Sequence, residues 1–184
     1  DIGWLTALMA AGVSILAPWL LRFVAPASFA PDALVAPVAV VSLGAMLSVA
    51  YLANVHLVFA AGKSLGLSIT SPISLLIGLA AALLGAQHGL AWLAWGFPAT
   101  YLALGVLTAV LRRVIGASRW RERALVAPFL AGAALVAAGG LLPATGSVAY
   151  VRLAVAAVEG YAGLVMIRRI LRGSRGGTGG DTAG

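Results

Sequence analysis

Residues 33–61 read ALVAPVAVVSLGAMLSVAYLANVHLVFAA, twenty-nine positions without one Asp, Glu, Lys or Arg. A helix needs about 20 apolar residues to cross a hydrocarbon core of roughly 30 Å, and this run exceeds that length before any turn signal appears. Gly62-Lys63 then ends it. The same pattern recurs on both sides, giving spans at 2–24, 33–61, 64–85, 90–111, 124–142 and 148–167. The separators are turn-like: 25–32 carries Pro26 and Pro31, Gln87-His88-Gly89 is polar, and 143–147 is small and opens on Pro143. Backbone amides in lipid must be satisfied within their own segment unless strands close into a barrel. A barrel needs segments of about ten alternating residues, which this chain lacks. The expected fold is therefore all-α, a bundle of six transmembrane helices.

Composition agrees. The chain has 184 residues, 62% hydrophobic and 9% charged, with a mean hydropathy of +1.05. A soluble domain draws about 25% of its residues from the charged set, so this one lacks the groups to cover a water-facing surface. The net charge of +7 and pI near 11.1 do not indicate a nucleic-acid partner, because the basic residues lie between apolar runs and form no basic face with aromatic contacts. Topology explains them. If the first span leaves the cytoplasm, the inner side receives Lys63, Arg112, Arg113, Arg119, Arg121, Arg123, Arg168, Arg169, Arg172 and Arg175, leaving only Arg22 and Arg152 outside. Trp4 then falls at the inner interface and Trp19, Trp92 and Trp95 toward the outer one. The glycine-rich tail, 173–184, reads as a disordered cytoplasmic end. There is no cysteine, hence no disulfide or thiolate site. Asp1 opens the chain and no signal-peptide pattern follows it, so the sequence reads as part of a longer protein.

Within the spans, Glu159 is the residue that most demands a reason. It lies about twelve residues into the last span, where an acidic group costs on the order of 3 kcal/mol. It is either a functional polar site or a protonated carboxyl bonded to a neighbouring helix. Arg152, two turns earlier, is about 10 Å away along the axis, too far for a direct ion pair, and is expected to snorkel outward at the interface. Ser48, Tyr51 and Asn54 form a polar stripe on the second span, suited to interhelical hydrogen bonds, and Asn54 and His56 are near enough to the inner side to line a vestibule. The third span's Ser64, Ser68, Thr70, Ser71 and Ser74 are expected to bond back to their own backbone. Pro18, Pro37, Pro72, Pro98 and Pro128 are expected to kink their helices, and Gly78 with Ala82, Gly132 with Gly139 and Gly160 with Gly163 to permit close helix packing. The two histidines, His56 and His88, and the five acidic residues show no metal-ligand spacing or catalytic motif, so no catalytic residue, metal or cofactor is expected, and His88 reads as a solvated loop residue.

The order of short motifs resembles a known family. Leu16-Ala17-Pro18-Trp19-Leu20-Leu21 is followed by Pro26-Ala27-Ser28-Phe29, then by Ala60-Ala61-Gly62-Lys63, an outer turn at Gly89, and a helix ending in Arg112-Arg113. This succession is similar to that of the polysaccharide flippases, the Wzx-like exporters of the multidrug, oligosaccharidyl-lipid and polysaccharide superfamily. The resemblance implies two helical lobes around a central cavity, with these spans as the last six of a fourteen-span member. It further implies that the parent protein flips a polyprenyl-diphosphate-linked oligosaccharide across the inner membrane by alternating access, for polysaccharide biosynthesis. Its partners would be membrane lipid, that substrate and the preceding helices of the same protein, and its substrate pathway would draw on Arg152, Glu159, Asn54 and His56. Two rival readings are a membrane-embedded glycosyltransferase or acyltransferase, for which the outer loops offer only Asp32 and His88, and a non-catalytic scaffold docking through 114–123.

Overall fold

The computed structural model describes residues 2–118 and 120–175. Helices α1 (Ile2–Val24), α2 (Val35–Ala60), α3 (Leu67–Ala86), α4 (Leu90–Leu93), α5 (Gly96–Val114), α6 (Val126–Leu141) and α7 (Gly146–Arg175) account for nearly all of it. With their flanking 3-10 turns, and with α4 and α5 taken as one broken span, they make six helical units long and apolar enough to cross a membrane, so the bundle has the form of a multi-pass membrane protein. Their bounds fall within a few residues of the sequence reading. The last helix runs further than expected, since Gly173, Ser174 and Arg175 are helical; the rest of the predicted tail lies outside the described residues, as does Arg119.

Connections are short, so successive spans run antiparallel. One end of the bundle gathers Ile2, Lys63, Arg112 and Glu122; the other gathers Arg22, His88 and Leu142. At the first end α2 and α5 each close on a left-handed glycine, Gly62 (φ 67°) and Gly116 (φ 69°). At Gly116 the Ala117 amide reaches back to the Arg112 carbonyl at 3.0 Å, turning the chain sharply off the helix.

Packing follows from small residues. Ala7, Ala10 and Ala11 of α1 meet Ala39 and Met46 of α2 and Val136 of α6 to form the core, with Leu43, Phe129 and Leu135 against it. Between membrane helices there is no water to expel, so close backbone approach and dispersion hold the bundle, and alanine and glycine permit both. α5 packs between α2 and α3, α6 sits against α1 and α2, and α7 lies at the edge against α1. The large apolar side chains point outward instead, as Leu75, Leu76, Leu79, Leu83 and Leu84 do on α3.

Two expectations about backbone shape need correction. Of the five prolines, only Pro18 and Pro72 stand inside a helix. Pro37, Pro98 and Pro128 occupy the third position of α2, α5 and α6, where an amide has no intrahelical acceptor to lose, so they start helices instead of bending them. Pro98 does help break the fourth span: it cannot donate to the Ala94 carbonyl, which takes Phe97's amide at 3.1 Å instead, and the chain turns between α4 and α5. Glycines also divide. Gly78, Gly96, Gly132 and Gly139 sit at close helix contacts, whereas a Cβ at Gly160 or Gly163 would meet nothing within 4 Å, so the pair on α7 packs against no helix of this chain among the described residues.

Candidate functional site

Arg152 does not snorkel. It is 2% exposed, and its guanidinium is spent on backbone carbonyls of two other helices. Nη2 donates to Ile15 O at 2.8 Å, Gly139 O at 2.9 Å and Ser14 O at 3.3 Å, Nε donates to Ile15 O at 3.2 Å, and Nη1 donates to Leu142 O. The cause is readable in the chain. Each helical carbonyl normally accepts from the amide four residues on; for Ser14 that residue is Pro18 and for Gly139 it is Pro143, neither of which has an amide hydrogen. One guanidinium thus takes up two carbonyls released by two prolines, while the Trp19 ring lies 5.7 Å from its carbon on one face. Ser14 adds a hydrogen bond from its hydroxyl to Val136 O at 2.8 Å. Arg152 therefore belongs to the joint of α1, α6 and α7, and its donors are not available to a substrate.

Glu159 is 6% exposed, with both carboxylate oxygens buried and without a hydrogen-bond partner among the described residues. It faces α1 opposite Gly12, where a Cβ would lie 3.8 Å from Oε2. No ion pair joins it to Arg152, as the two-turn separation requires. Of the two readings left open, a carboxyl bonded to a neighbouring helix is not what the structure contains.

The other nominated pair separates. His56 is exposed on the outside of α2. Asn54 is 3% exposed; its Nδ2 donates to Ala50 O at 2.8 Å and its Oδ1 accepts from Trp120 Nε1 at 3.2 Å. Tyr51, one turn away, meets Tyr101 edge-on at 6.2 Å between centroids. Ser48 does not bond a neighbouring helix as its stripe suggested but turns back to Ala45 O of its own, whereas Ser68, Thr70 and Ser74 of α3 bond back to their own backbone, as expected of small hydroxyls in membrane helices.

Trp120 leads to groups that the sequence marked only for topology and as a docking stretch, not as a substrate site. Glu122 bridges two arginines of α5, pairing through Oε1 with Arg112 and through Oε2 with Arg113 at 3.2 Å. Arg112 is 2% exposed and its Nε is buried without a partner among the described residues. Together with Arg121 and Arg123 these side chains line a cavity of about 790 Å³ at the Lys63 end of the bundle. Trp120 and Glu122 also close one end of an apolar groove of about 230 Å³ between α2 and α5, lined by Leu47, Ala50, Tyr101, Leu102, Gly105 and Val106. From Asn54 to Leu47 it runs about 10 Å along α2 toward the middle of the span. Leu102 and Val106 are exposed at its edge, so it opens sideways. The signal available in the sequence was a single acid, Glu122, set among three arginines shortly after a helix ending in two more. Comparison with protein-family models, with curated proteins and with solved structures finds no match to this chain.

Proposed function

We propose that this chain is part of a membrane transporter that moves a polyprenyl-diphosphate-linked oligosaccharide across the bacterial inner membrane, by alternating access, in polysaccharide biosynthesis. The observation that carries the reading is the junction of a basic cavity with a sideways-open apolar groove at Trp120 and Glu122. A lipid-linked sugar diphosphate has that division of chemistry: its tail remains among acyl chains while its diphosphate needs cations at head-group depth. Arg113, Arg121 and Arg123 supply such cations, and arginine pairs with phosphate through two parallel hydrogen bonds. In this reading the Lys63 and Arg112 end is cytoplasmic, where the substrate is loaded, and the motif order shared with polysaccharide flippases agrees with it. Glu159 would lie on the route of coupling, since a membrane carboxyl without a partner is retained at an energetic cost.

Cells deprived of their own exporter and supplied with the full-length protein provide the test. Arg113→Gln together with Arg121→Gln is expected to lower glycan export at least tenfold at equal membrane abundance. Wild-type export from that variant would overturn the reading.

A further inference from the structure

We infer that Glu122 is a resident counter-anion, holding in the cavity the place that a lipid-borne phosphate takes on binding. The inference rests on the reading that the cavity receives an anionic head group, and adds how the site is kept closed without one.

Charge is the first support. Arg112, Arg113, Arg121 and Arg123 line the cavity with Glu122 as their one carboxylate, four cations against one anion. Geometry is the second. Glu122 gives each of two arginines a single oxygen, so the Nε of Arg112, buried in the cavity wall, goes without an acceptor among the described residues. A guanidinium offers Nε and Nη2 as a parallel pair, and a phosphate carries enough oxygens to accept both from Arg112 and still reach Arg113. Binding in place of Glu122 would thus satisfy a donor that Glu122 leaves orphaned. Burial is the third. Because Arg112 is almost wholly enclosed, stripping its carboxylate would leave an uncompensated guanidinium, so Glu122 leaves only in exchange for another anion.

Exchange has a mechanical consequence. Glu122 begins the 3-10 turn Glu122–Leu125 that leads into α6, and its amide bonds Trp120 O at 2.9 Å. Releasing its side chain loosens the segment that carries Trp120, leaving the Trp120–Asn54 hydrogen bond and the long contact from Arg112 Nη1 to Ser118 O at 3.5 Å as latches at the end of the groove. Phosphate arrival and opening of that closed end onto the cavity are then one event.

The test uses the full-length protein in phosphatidylcholine nanodiscs, with phosphatidic acid added to the discs in one arm and inorganic pyrophosphate to the buffer in the other. Glu122→Gln removes the competing charge and is expected to bind phosphatidic acid at least tenfold more tightly than wild type, whereas affinity unchanged within twofold, or weaker, overturns the inference. A readout on wild type guards against a misfolded variant: phosphatidic acid is expected to speed amide hydrogen exchange at Trp120 to Arg123 several-fold, and unaltered exchange overturns the inference. The same response to pyrophosphate in pure phosphatidylcholine supports the exchange with the head group alone as ligand; a response confined to phosphatidic acid supports it with the lipid as ligand. Neither readout involves transport, so tight binding by Glu122→Gln alongside export indifferent to Arg113 and Arg121 would sink the functional reading and leave this inference standing.

Discussion

At the scale of single residues, the chain handles its membrane charges in different ways. Arg22 meets Asp32 in a two-contact ion pair at 3.0 and 3.2 Å, near the surface, where such pairs contribute little. Arg152 instead faces acceptors that two prolines have vacated, and its stabilising effect comes from groups that would otherwise be buried unpaired. Arg152→Gln is expected to lower unfolding stability in detergent by about 3 kcal/mol, because it strands several carbonyls at once. The partnership with Pro18 can be isolated. Pro18→Ala restores an amide within reach of Ser14 O, so Arg152→Gln is expected to cost about 1 kcal/mol less in that background than in wild type. Additive losses in the double-mutant cycle, measured by thermal unfolding, would show that the guanidinium is not serving the proline's carbonyl. The sequence displays Arg152 and Pro18 plainly, but the bond from the guanidinium to Ser14 O, the carbonyl that Pro18 leaves free, spans 138 positions, and only the packing of α7 on α1 brings them together.

Elements were legible to the degree that their signals are local. An apolar run either reaches across a bilayer or does not, and the six spans followed from length and turn residues alone. Proline position was less legible: whether Pro37, Pro98 or Pro128 bends a helix or begins one depends on where the preceding 3-10 turn or loop ends. Glycine pairs carried the same ambiguity, since a small residue looks alike on a packed face and on a bare one. The difference is measurable. At Gly78 a Cβ would lie 2.7 Å from the backbone carbonyl of Gly96, which cannot rotate away, so Gly78→Ala is expected to push α3 off α5 and cost about 2 kcal/mol. Gly160→Ala with Gly163→Ala meets no atom of the chain and is expected to be neutral within about 0.5 kcal/mol. A loss from the α7 pair as large as that from Gly78 would mean that those glycines contact a helix after all. The cavity at Glu122 was illegible for a related reason: adjacent arginines declare their charge in sequence, but not that one is enclosed and its neighbour open.

Over the whole molecule, the same accounting sharpens the argument for orientation. Counting formal charges, the end with His88 holds Arg22 and Arg152, but the first is neutralised by Asp32 and the second is enclosed among carbonyls. The opposite end presents Lys63, Arg113, Arg121, Arg123, Arg168, Arg169 and Arg172, with Glu122 as the one acid beside them among the described residues. Among the described residues, positive charge that remains available to the membrane surface is thus confined to one end, a stronger asymmetry than the count of basic residues conveys, and one that agrees with the proposed cytoplasmic side for that end. The chain contains no cysteine, so a single introduced thiol reports its side without background. His88 and Ser64 are both exposed, at opposite ends of α3. In intact cells a membrane-impermeant maleimide is expected to label His88→Cys at once and Ser64→Cys only after permeabilisation. Labelling of Ser64→Cys from outside would invert the bundle and put the arginine cavity on the face where a substrate is released, which would leave Glu122 guarding an exit.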